Sequence, residues 1–133
     1  MHVKFLRPFL VALAVSMPAL SFPAGAEDAP RFVSVIDDLP LMSGLVEAGE
    51  GVEFATPQGR IAETTAQATM EGAMSKKAVL DFYAQTLPQL GWTRAGEARF
   101  VREGETLDLV FGVAGGGQGG VLSVRFSLAP TDK

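Results

Sequence analysis

Carboxylates are the only side chains present in quantity that could do acid/base chemistry: the 133 residues hold 15 Asp and Glu against 11 Lys and Arg, with one histidine and no cysteine. A glycosidase-type hydrolysis would need two carboxyls about 5–10 Å apart across one cleft. Asp37 and Asp38 are sequence neighbours, whose side chains diverge, and Glu47, Glu50 and Glu53 cluster near a turn without the Asp-x-Asp-x-Asp-Gly spacing of a calcium loop. These acids read as solvated charges. No serine has lysine three residues on, and Gly-x-Ser-x-Gly is absent, so neither common serine-nucleophile spacing is present. The run Gly112–Gly120 invites a phosphate-loop reading, but it lacks the Gly-Lys-Ser/Thr ending and joins two strands, so a hairpin tip is expected. No catalytic residue, metal ligand or cofactor is assigned.

The only histidine, His2, falls in a stretch with the layout of a secretory signal peptide. Lys4 and Arg7 precede an apolar run from Phe9 to Leu20, and Ala24-Gly25-Ala26 supplies the small residues accepted at a cleavage site. The run is shorter than the ~20 residues a membrane-spanning helix needs. Cleavage after Ala26 would leave a chain with neither His nor Cys, which excludes Ser-His and Cys-His nucleophiles, His- or Cys-bound metals and thiol chemistry. The mature protein is expected in the periplasm or outside the cell, with no stable membrane anchor. Its acidic balance, without Lys/Arg clusters, argues against a nucleic-acid partner.

The rest of the chain reads as an α+β domain over residues 51–130, preceded by an extended or irregular segment over 27–50. In that segment apolar residues from Phe32 to Val46 follow neither period and are broken by Asp37, Asp38, Pro40 and Gly44. Thr56-Pro57-Gln58-Gly59 separates two arms of a hairpin, Val52–Ala55 and Arg60–Met70. The second arm puts Ala62, Thr64, Ala66 and Ala68 on one face and Ile61, Glu63, Thr65 and Gln67 on the other. Ser75 is an N-cap for an amphipathic helix carrying Val79, Phe82, Tyr83, Leu87 and Leu90, which Pro88 and Gly91 bring to an end. Three strands follow, over 98–102, 106–113 and 121–128, the last two alternating in step. The expected order is β-β-α-β-β-β, one mostly antiparallel sheet with one helix on it.

Asp38-Leu39-Pro40 through Gly44-Leu45, Phe82-Tyr83, Leu87-Pro88, Gly91-Trp92, Phe100 and Phe126-Ser127-Leu128 follow a pattern in order along the chain. On these residues the sequence resembles a loosely defined set of small exported bacterial α+β domains, many of them lipoproteins. The resemblance implies the fold and the compartment and carries no agreed activity. This chain departs from the lipoprotein members in lacking a cysteine to bear lipid.

Two surfaces are candidates for binding. A single helix covers one face of a sheet, which leaves Glu63, Thr65, Gln67, Arg99, Val101, Asp108, Val110, Ser123 and Arg125 on an uncovered face that is either solvated or meets a partner or a second copy. The apolar stretch Leu39–Leu45, with Leu39, Leu41 and Met42, is either part of that partner surface or the sheet's missing cover. Tyr83 and Trp92 are either core residues or the rim of a small-ligand pocket between helix and sheet. The expected function is that of a non-catalytic binding or accessory protein of the bacterial envelope. A small-ligand binder and a carboxylate-dependent hydrolase are the alternatives.

Overall fold

The computed structural model of the chain describes residues 30–115 and 119–131; the leader expected at residues 1–26 lies outside the described residues, as does part of the Gly112–Gly120 run. An antiparallel sheet carries a single α-helix. Its strands are β3 (Val46–Glu47), β4 (Val52–Thr56), β5 (Gly59–Thr69), β6 (Thr93–Arg94), β7 (Arg99–Arg102), β8 (Glu105–Ala114) and β9 (Val121–Pro130). Across the sheet the order is β3-β5-β9-β8-β7-β6, with β4 on the same edge of β5 as β3. The two form a single interrupted edge strand: Val46 and Glu47 pair with Gln67 and Ala66, the Ala48 N–H still donates to the Thr65 carbonyl at 2.8 Å, the chain swings out over 49–51, and Val52 rejoins opposite Glu63.

Turn chemistry sets the registers. Glu103 and Gly104 both take positive φ, 47° and 81°, between the closing pair Arg102 and Glu105, which is the two-residue geometry that matches strand twist. Thr56 and Gly59 close a second two-residue hairpin of this sheet. With registers fixed, period-two alternation sends one set of side chains inward from every long strand. Ala62, Thr64, Ala66 and Ala68 of β5 lie opposite Leu128, Phe126, Val124 and Leu122 of β9, which face Leu107, Leu109, Phe111 and Val113 of β8. All of these except the partly exposed Phe111 and exposed Val113 are buried.

Helix α1 (Lys76–Thr86) starts where Ser75 Oγ accepts a hydrogen bond from the Ala78 N–H at 3.1 Å. Pro88 cannot donate to an i−4 carbonyl, so the chain tightens into a 3-10 turn over Leu87–Leu90 and stops at Gly91, whose φ of 93° favours glycine. Val79, Tyr83 and Leu87 are buried in the core shared with the sheet, Leu80 is buried beside them on the helix, and Leu90 is exposed.

The segment expected to be irregular is ordered differently. Arg31–Val33 (β1) and Ile36–Leu41 (β2) form a hairpin of their own, a small second sheet. Val33, Ile36, Leu39, Leu41 and Leu45 join the same core cluster as the helix and the main sheet, so residues 31–47 are built into the domain. No period announces this because the hairpin buries only alternate residues of short arms, and Pro40 sits in a strand whose partner is an edge. The hairpin lies beside the helix, on the same face of the sheet. Its Val35 packs so closely over the outswing that a Cβ on Gly51 would lie 2.8 Å from Val35 Cγ1 and 3.0 Å from Thr64 Cβ.

Tyr83 fastens hairpin to helix. Its hydroxyl donates to the Pro40 carbonyl at 2.8 Å and accepts from the Met42 N–H at 3.2 Å, while its ring meets Phe126 of the sheet edge to face at 5.4 Å. Burial pushes the hydroxyl's pKa well up, so it remains a donor at any physiological pH. Tyr83→Phe keeps the ring and strands two backbone groups. The expected cost is about 1–3 kcal/mol, read as a lower urea midpoint with an unchanged slope.

Candidate functional site

The face turned away from helix and hairpin is built by the other half of the same alternation. Arg125 stands in the middle strand β9, opposite Thr65 of β5 on one side and Val110 of β8 on the other. Its Nε is 4.0 Å from Glu63 Oε1. One strand further, Arg99 of β7 grips its cross-strand partner Asp108 with two bonds, Nε to Oδ1 at 2.7 Å and Nη2 to Oδ2 at 3.2 Å. Both pairs are solvent-accessible, so each contributes little to stability and serves more to hold the charges in place than to stabilise the fold.

Apolar side chains stand among these charges. Val110 is 44% exposed in the middle of the face. Toward the β4 edge, Val52 lies across from Glu63 and Phe54 across from Ile61, and these three apolar residues are 47%, 59% and 38% exposed. Val46, opposite Gln67, extends the strip along β3.

Sequence reasoning placed Val110 and Arg125 on this face, and the structure leaves both exposed. Val101 is partly buried, opposite Thr93 and Thr106. Leu39, at 0% exposure, and Leu41, at 8%, are core residues and cannot form part of a partner surface; Met42 is partly buried beside them. The cause is the hairpin, which puts their side chains under the chain rather than over it. Tyr83 and Trp92 are core residues, 0% and 3% exposed, rather than the rim of a pocket; a depression of about 550 Å³ is lined instead by residues such as Leu90, Thr93, Val101 and Arg102. Phe54 and Val52 went unnoticed in the sequence. The signal was there: a two-residue turn fixes the register that carries Phe54 to Ile61.

Several of the acids are occupied. Asp38 of β2 takes a hydrogen bond from Arg102 of β7, whose guanidinium stacks on the Trp92 ring at 4.3 Å, and Arg60 approaches Asp38 from the other side at 3.6 Å. Arg60 also holds Glu105 at 3.1 Å. Glu47 accepts from the Ser34 N–H and hydroxyl and from Thr64 Oγ1. Among the described residues no group of three His, Cys, Asp or Glu is placed to hold a metal ion. Burial pushes the Asp38 carboxyl up, but the hydrogen bond and charge of Arg102, with Arg60 behind it, more than reverse this and leave its pKa below the ordinary 3.8. A lowered pKa is the wrong setting for a general acid.

No family model matches the sequence, and no curated protein and no solved structure matches it either.

The Asp38 cluster ties the hairpin to the far edge of the sheet, and its pH behaviour follows from the sign of the shift. A carboxyl whose folded pKa is depressed contributes stability that is full above its unfolded value, here about 3.8, and is lost as pH falls through the lower folded value. Asp38→Asn is therefore expected to be less stable than the parent at neutral pH. The gap should close on acidification below about pH 3.8, followed by urea unfolding of both proteins across that range.

Proposed function

We propose that the protein is a non-catalytic binding or accessory module of the bacterial envelope that meets its partner through the open sheet face. The observation that carries this reading is the division of the sheet. One face is covered by helix and hairpin together, whereas the other presents Val110 to solvent between the Arg125–Glu63 and Arg99–Asp108 pairs, and Phe54 and Ile61 beyond Glu63 at the β4 edge. Apolar area flanked by charges of both signs suits a protein surface: the apolar residues contribute on desolvation, and the charges set register and exclude wrong partners. Export to the periplasm is part of the proposal and rests on the leader-like pattern of residues 1–26. Catalysis has little support, because Asp38, Glu47, Glu105 and Asp108 are held in ion pairs or hydrogen bonds and the mature sequence would carry no His or Cys.

A photo-crosslinking residue at position 110 in cells of the source organism tests the proposal. The expected result is one defined adduct with an envelope protein, lost on Arg125→Glu while the circular dichroism spectrum is unchanged. A crosslinker at Gln85, exposed on the outer side of the helix, should yield none. Adducts of equal yield from positions 85 and 110, or none from 110, would rule the face out as the binding surface.

A further inference from the structure

The two edges of the main sheet are finished differently. At one, β6 is only two residues long, and the side chain of its Arg94 folds back onto the carbonyls of Gly96 and Glu97 at 3.0 and 2.7 Å. That is how natural sheets blunt an edge: a short strand with a cationic side chain lying on it. The other edge, β4, has none of these devices. It runs for five residues, Val52-Glu53-Phe54-Ala55-Thr56, with no proline and no lysine, its first four residues are exposed, and among the described residues it pairs only with β5. Because Thr56 and Gly59 close a two-residue hairpin, the alternation of the ladder directs the N–H and C=O groups of Glu53 and Ala55 away from β5.

We propose that β4 is a self-association edge, on which a second copy of this chain adds its own β4 in antiparallel register about Phe54. The occupant follows from the self-complementarity of the strand. With Phe54 on the two-fold axis, Glu53 of each copy falls opposite Ala55 of the other and Val52 opposite Thr56. The single charge of the strand never meets its like, and the outward backbone groups of Glu53 and Ala55 satisfy one another. The two Phe54 rings form the closer, non-hydrogen-bonded pair at the axis, the arrangement in which cross-strand aromatic pairs contribute most. Ile61 of each copy, directly across from its own Phe54, extends that pair into an apolar strip on the open face, which would then run unbroken through both copies. The interface would be isologous and closed, so it ends at two chains. Phe54 and Ile61 share the open face with the partner reading, but the residues that test that reading, Val110 and Arg125, lie two strands and more from β4.

The test uses the protein expressed from its full reading frame and purified as the cell leaves it. Sedimentation equilibrium over a wide concentration range should give a mass rising from one chain to two. Phe54→Lys, which sets two cations against each other at the axis, should return the mass to one chain with an unchanged circular dichroism spectrum. The chain lacks cysteine, so Phe54→Cys reports the register directly: two copies paired about this position should form a disulfide dimer on mild oxidation, and Val110→Cys should not. A single-chain mass at every concentration, a dimer indifferent to Phe54→Lys, or a dimer in which Phe54→Cys stays reduced would each overturn the proposal. Dimerisation is measured on the purified protein alone, so its failure leaves the crosslinking result at position 110 standing, and the reverse.

Discussion

The hydroxyl of Tyr83 is the point at which the three parts of this molecule meet. It is buried, and it satisfies one carbonyl and one amide of the N-terminal segment, the Pro40 C=O and the Met42 N–H. The ring beneath it is wedged between Phe82 and Phe126. A buried hydroxyl left without partners would be costly, so the position of the hairpin is bound to that of the helix, and the helix to the sheet. Everything else about the molecule's surface follows from that arrangement. Two covering elements are spent on the same face, and nothing in the described residues lies on the other.

A sheet covered on one side has to manage the side left open. The chain does so with cross-strand ion pairs, Arg99 with Asp108 and Arg125 with Glu63, which keep the face soluble without contributing much to stability. The stronger electrostatic arrangement is on the covered side, where Asp38 lies between Arg102 and Arg60, and Arg102 rests on Trp92. There the charges are partly withdrawn from water and join elements far apart in sequence. The division of labour is physical: partly buried charges fix the hairpin, and exposed charges stand on the open face without fixing any element to it.

Glycine is used where close approach or left-handed backbone requires it. Gly51 lets Val35 lie against the outswing between β3 and β4, and Gly104 completes a turn whose other residue, Glu103, already takes positive φ. The outswing matters for the edge as well. It divides a strand that would otherwise run the length of β5, leaving β4 as a five-residue edge strand that among the described residues pairs only with β5.

The sequence by itself determined the local rules of this protein. Alternation in residues 62–68, 107–113 and 122–128 announces strands with one buried face, Ser75 and Gly91 bracket the helix, and the turn residues at 57–59 and 103–104 set hairpin registers, because each of these signals depends on atoms a few residues apart. The absence of cysteine and the lone His2 are likewise legible without coordinates. Tertiary structure alone decided which face each element covers. Residues 31–41 carry no helical or strand period strong enough to declare a hairpin, and their burial is settled by Tyr83, more than 40 residues further on. The same holds for Asp38 and Arg102, separated by 64 residues. Whether Leu39 is surface or core, and whether Phe54 is core or surface, depends on which element occupies the space above it. That choice is made by packing of the whole chain, where the energy of closing one core around the hairpin outweighs any local preference of the residues that form it.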